Sequence, residues 1–171
     1  MRQPWKGMVL HIPDDPEWLR AFGRVAIAHA HLDYSLRMLI RTLAGVTTKE
    51  ALDATVRESS SMLRDRARRL ARTRLGEGPT LLRVQAILER CKRVTDRRND
   101  LLHGLIGRDG EDCKAAMLKA DHTWEPLPPI NSVEELVTTI VELTDELNLA
   151  RTGGWLADEL DLKSRVDSTQ G

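Results

Sequence analysis

The chain has 171 residues, 41% hydrophobic and 30% charged, with 26 basic and 26 acidic side chains giving a formal net charge of zero. That length is enough for one domain with a sizeable core and no disulfide or metal staple, and a neutral balance argues against a general nucleic-acid coat. Two cysteines, Cys91 and Cys113, are too few for a disulfide scaffold and not spaced as a metal knuckle, so a cytoplasmic setting is the simpler expectation.

One Phe and one Tyr stand against four Trp, while Leu, Ala, Arg and Glu are frequent, which favours helices over sheets. The opening MRQPWKGMVLHIP lacks the apolar core of a signal peptide, and no run approaches the roughly 18 apolar residues of a membrane span. Residues 1–13 read as an arm, with Trp5, Val9, Leu10 and Ile12 available for docking and Pro13 closing it. Asp14 or Asp15 then caps a helix that takes Pro16 and Glu17 in its first turn and repeats Leu19, Phe22, Val25, Ala26, Leu32, Leu36, Leu39, Ile40 and Leu43 up to Gly45. His29 and Asp33 fall on or beside that stripe, one turn apart, and a carboxylate there needs a cation from another helix.

Thr47 and Glu50 have capping-box spacing and predict a short helix to about Glu58. Ser59 to Ser61 interrupts it, and Met62 to Leu75 predicts a strongly basic helix ending at Gly76 and Gly78. Pro79 suits the first position of a longer helix that carries Leu82, Val84, Ile87, Leu88, Cys91, Val94, Leu101 and Leu102 as far as His103. Gly104 and Gly107 end it. Asp109-Gly110, between Leu105-Ile106 and Cys113 to Leu118, predicts a tight turn in a small hairpin. A loose connection follows through Trp124, Pro126, Pro128 and Pro129. Ser132 and Glu135 offer a second capping box for a helix to about Arg151. After Gly153-Gly154, Trp155 to Leu162 predicts one or two amphipathic turns, and Ser168 to Gly171 should fray. The expected fold is therefore all-α: an up-and-down bundle of four to five helices over residues 14–151, with a small β-hairpin insertion after the long basic helix and a tail over 152–171.

Charge is divided along the chain. Residues 61–108 hold thirteen Lys and Arg against five Asp and Glu, and residues 109–171 hold five against fourteen. Either the two segments pack against each other or a partner, or the middle segment faces phosphate.

The most informative stretch is Arg97-Arg98-Asn99-Asp100-Leu101-Leu102-His103-Gly104, which sets a fixed cation, an amide and a titratable ring within about one and a half helical turns. Arg98 continues the apolar stripe of Cys91 and Val94, so its guanidinium should be partly buried and should want a partner, for which Asp33 is the candidate. Asn99 and His103 share a face, whereas Arg98 and His103 lie about 140° apart around the axis. They need not touch within one chain, and a twofold dimer would bring both sets into one groove. A helix-terminal His before Gly can also be no more than part of a cap. His29 with Asp33 lacks a third and fourth ligand, so no metal site and no cofactor is expected.

The stretch resembles the motif of the HEPN superfamily, small helical bundles in which an arginine, a following polar residue and a histidine a few positions later form an RNA-cleaving site; here these are Arg98, Asn99 and His103. The long first helix with Asp33 in its second half (LDYSLRMLIRTLAG), the basic motif helix and the glycine after the histidine are also similar to that group, over most of residues 14–151. The resemblance implies cleavage without metal, by attack of the ribose 2′-hydroxyl on its own phosphate, in a toxin with a protein antitoxin or in a defence factor. Arg98 would neutralise the phosphorane, His103 would act as general base or acid, Asn99 would orient it or bind a phosphate oxygen, and Asp33 with His29 would support them. Two other readings stand beside it: a non-catalytic helical dimerisation or interaction module, and an RNA-binding regulator without cleavage.

Overall fold

The computed structural model describes residues 8–11, 14–109, 115–119 and 122–169. Trp5, Ile12, Pro13, Gly110 and Cys113 lie outside them, as does the tip of the expected hairpin turn.

The first long helix, α1 (Pro16–Ala44), begins and ends where its capping residues dictate. The Asp15 carboxylate accepts from the Glu17 N–H at 2.8 Å, and Gly45, at φ 69°, donates its N–H to the Arg41 carbonyl. That left-handed turn suits glycine. The Thr47–Glu50 capping box forms in full at the start of α2 (Thr48–Thr55), which stops three residues before the expected Glu58. The interruption falls at residues 56–59, and Ser59 closes it as the N-cap of α3 (Ser60–Leu75), so Ser60 and Ser61 belong to that helix. Pro79 opens α4 (Pro79–His103), and α5 spans Ile130–Arg151.

The second capping box does not form. Pro129 ends an extended segment, so α5 starts three residues early, and the Ser132 hydroxyl donates back to the Pro129 carbonyl. The last helix, α6 (Trp155–Thr169), is longer than one or two turns and includes Ser168 and Thr169. Leu156 anchors it in the core, Trp155 stacks under the Arg83 guanidinium at 4.4 Å, and the Lys163 ammonium donates to the Leu75 carbonyl.

Pairwise contacts give the bundle its sense. Arg24 of α1 pairs with Glu134 of α5, and Ser35 further along α1 meets Asn148 further along α5, so these helices run in parallel. In α4 the order reverses: Thr95 faces His29, while Leu102 shares a cavity with Phe22. The short α3–α4 turn makes that pair antiparallel, and α2 folds back until Thr55 receives hydrogen bonds from Arg37. The result is the expected up-and-down bundle, with a small β insertion. Its core is aliphatic: Leu32, Leu36, Leu39 and Leu43 of α1 meet Leu63, Leu88, Ile140 and Leu143, all fully buried. Full burial of one such side chain stabilises by about 1.5–3 kcal/mol.

The insertion is larger than a hairpin. β1 (Met8–Leu10), β2 (Leu105–Asp109), β3 (Ala115–Leu118) and β4 (Trp124–Pro126) form one antiparallel sheet in sequence order. The expected arm thus supplies an edge strand, and the loose connection supplies the opposite edge. The sheet closes the end of the bundle where α4 stops and α5 starts, and it inserts Met117 beneath Gly104. A Cβ at Gly104 would lie 2.5 Å from Met117 Cγ and 2.9 Å from the Asp100 carbonyl oxygen, so only glycine fits this joint.

Candidate functional site at the end of the motif helix

The inward face of α4 is aliphatic through Leu81, Val84, Ile87, Leu88, Cys91 and Val94, then turns polar at Thr95 and Arg98 before Leu101 closes it. Cys91 belongs wholly to the core: burial pushes its thiol up to about 12, which makes it inert as a nucleophile.

At the exposed end of the helix, Arg98, Asn99 and His103 meet within one chain. Arg98 Nη1 donates to Asn99 Oδ1 at 2.9 Å and lies 3.3 Å from His103 Nε2. The 140° between the two backbone positions is spanned by the length of the arginine, which is half-buried and runs along its own helix. A guanidinium has donors only, so in this contact His103 Nε2 presents its lone pair. His103 is exposed, on the last turn before Gly104.

Asp33 does not form the expected pair with Arg98. Its Oδ2 is 3.6 Å from Nδ1 of His29, its own i−4 neighbour, and its Oδ1 is buried with no hydrogen-bond partner. Among the described residues Arg98 has no carboxylate within ion-pair distance, and its Nε is also buried and unpartnered. The shorter path won: neighbours one turn apart on a helix meet without crossing the interface, while the Arg98 fork is drawn to Asn99 and His103.

Behind this open cluster is a closed one. His29 Nε2 is 3.1 Å from Thr95 Oγ1, Arg64 Nη1 donates to the same oxygen at 3.2 Å, and the Thr95 hydroxyl donates to the Cys91 carbonyl at 2.8 Å. Because Thr95 has spent its proton on Cys91, it accepts from both neighbours, which assigns a hydrogen to His29 Nε2. Burial holds the His29 pKa below its ordinary value; Asp33 pulls it up, and Arg98 and Arg64 push it further down. His29, Arg64 and Thr95 are all buried. Arg64 and Thr95 carried no role in the sequence reading, although Arg64 does keep helical step with Ala67, Ala71 and Leu75 and so marks a cation on the apolar face.

The charge division is partly answered by the fold. Arg90 of the basic segment pairs with Glu146 of the acidic one at 2.6 Å, but Arg66 pairs with Glu58 and Arg68 with Asp65. Among the described residues no three His, Cys, Asp or Glu side chains gather as a metal site, and no helix is long and apolar enough to cross a membrane. Comparison with known protein families, with curated proteins and with solved structures finds no match to this chain.

Proposed function

We propose that the chain is a metal-independent endoribonuclease of HEPN type, working as a homodimer and serving as a toxin or defence factor. One observation carries the reading: Arg98 Nη1 touches both Asn99 and His103 at the exposed end of α4, with no carboxylate among the described residues neutralising the arginine. A planar guanidinium held in this way is matched to a phosphodiester. When phosphate oxygens take over the Arg98 donors, His103 Nε2 is released with its lone pair free. It can then take the proton of the adjacent 2′-hydroxyl as that oxygen forms its bond to phosphorus. The bond from phosphorus to the 5′ oxygen breaks, the imidazolium returns the proton to that oxygen, and the products are a cyclic phosphate end and a free 5′-hydroxyl. Asn99 fixes the arginine in place of the expected Asp33.

The decisive experiment incubates the purified protein with single-stranded and structured RNA in chelator. Wild type should cleave, His103→Ala should not, and equal behaviour of the two would remove the enzyme reading.

A second reading, a non-catalytic interaction module, is favoured by the apolar surface beside the motif. Leu10 is 66% exposed, and Leu19 and Leu105 about half, around a cavity of about 620 Å³ that Phe22, Leu102 and Ile106 also line. Patches of this kind mark association surfaces, which suits a second copy or a protein antitoxin. Light scattering of wild type against Leu105→Lys tests it: a dimer that becomes monomeric supports this surface as the contact. An RNA-binding regulator would instead show salt-dependent binding with intact RNA.

A further inference from the structure

Because α1 and α5 run in parallel, their C-terminal turns lie side by side at the end of the bundle away from the sheet. Each carries one arginine, Arg41 in α1 and Arg151 in α5. A helix C-terminus bears roughly half a negative charge, so the two ends call for about one positive charge, and the sequence supplies two. Neither guanidinium has a carboxylate within ion-pair distance among the described residues.

Both side chains are half-buried. Arg41 Nε is buried with no hydrogen-bond partner. Arg151 is held by Asn148, whose Oδ1 accepts from Nε at 3.2 Å and Nη2 at 2.8 Å and also from the Ser35 hydroxyl at 3.3 Å. Burial and the nearby Arg41 charge push Arg151 below the usual arginine range, and Tyr34, seven residues before Arg41 on the same face, works against them. Two like charges drawn together out of water without a counter-ion are costly. A carboxylate is satisfied by one guanidinium fork, whereas a phosphate offers more oxygens and a larger charge and matches two.

We propose that Arg41 and Arg151, with Asn148 fixing the second and Tyr34 at the rim, form a binding site for a phosphate group, either free phosphate or the phosphate of a nucleotide. The site is separate from the His103 cluster. His29, which backs that cluster, precedes Arg41 by about 18 Å along the α1 axis. The half-exposed Tyr34 ring gives a nucleotide something to stack on that free phosphate cannot use.

The test is calorimetric titration of the full chain with inorganic phosphate and separately with adenosine 5′-monophosphate, with acetate as control. Saturable phosphate binding, measured in an Arg98→Ala background so that the motif arginine cannot contribute, is expected to weaken at least tenfold with Arg41→Gln or Arg151→Gln and to stay unchanged with Lys49→Gln on the exposed face of α2. Adenosine 5′-monophosphate binding more tightly than phosphate, with the gain lost in Tyr34→Ala, identifies a nucleotide as the ligand; equal binding identifies free phosphate. Circular dichroism reports whether each variant is folded, and Arg151→Lys, which keeps the charge but not the fork, serves if a Gln variant is not. The proposal is overturned if phosphate does not saturate, if acetate binds as well, or if folded arginine variants bind as that background does.

Discussion

Thr95 and His103 are eight residues apart on one helix, about 12 Å along its axis, and each is the centre of a polar cluster built on arginine and histidine. The Thr95 cluster is buried, and its hydroxyl is fully used: it accepts from His29 and Arg64 and donates to Cys91. The His103 cluster is open, and its arginine has no carboxylate partner among the described residues. The same residue types therefore do different work according to burial and saturation. A closed set fixes helix packing, because each donor lost inside leaves another group unpaired. An open set with a spare cation is free to take a ligand.

Removing each centre separates the two. His103→Ala or Arg98→Ala should cut RNA cleavage by about 10²-fold or more, and His103→Ala should move the urea unfolding midpoint little, since exposed substitutions stay within about 0.5 kcal/mol. Thr95→Val should do the opposite. It preserves shape but strands His29 Nε2 and Arg64 Nη1, at a cost of about 1–3 kcal/mol in urea unfolding, with cleavage per folded molecule close to wild type. If Thr95→Val abolished cleavage without loss of stability, the division between the clusters would be wrong.

Gly104→Ala sharpens the boundary by striking both. The new Cβ would meet the buried Met117 side chain and the Asp100 carbonyl, and overpacking of this kind costs about 1–3 kcal/mol. Because the neighbour that must yield is backbone one turn before the motif's end, His103 should shift with it. Cleavage and unfolding midpoint should fall together, unlike in either earlier variant.

What could be read from the sequence follows the range of the forces involved. The ends of α1, the Thr47–Glu50 box and the opening of α4 at Pro79 are local, set by one capping group or one proline within a turn, and they stand where expected. The Ser132–Glu135 box has the same spacing and fails, because Pro128-Pro129 bring in an extended chain that lets the helix begin earlier. β1 and β4 are three residues each, too short to show alternation, and exist only because β2 and β3 offer edges. At the candidate site, Arg98, Asn99 and His103 were legible as a spacing on one helix. The partner of Asp33 was not, since choosing between His29 on its own helix and Arg98 across the interface needs the register of α1 against α4. Arg64 was hidden among arginines that are mostly solvated or ion-paired, and only its step with Ala67 and Ala71 marks it.

The smallest effect separates the two histidines by pH. His29 has its pKa held below the ordinary 6.5, chiefly by burial, with Asp33 on α1 opposing and Arg98 on α4 and Arg64 on α3 reinforcing. An unfolded chain therefore binds a proton at this position more readily than the folded one does. Stability rises with pH wherever the unfolded state holds more protons, so the His29 contribution is complete above about 6.5 and is lost as pH falls below that value toward the lowered one. His29→Gln keeps an N–H donor for Thr95 and has no titrating ring. Urea unfolding at intervals from pH 7.5 down to 5 should give a steeper loss in wild type than in His29→Gln, and the two should run parallel above 6.5. Parallel curves through the whole range would mean that His29 accepts its proton without cost and that the buried cluster is less closed than its hydrogen bonds imply. A wild-type curve that flattened on acidification relative to the variant would reverse the sign and make Asp33, rather than burial, the dominant neighbour of that ring.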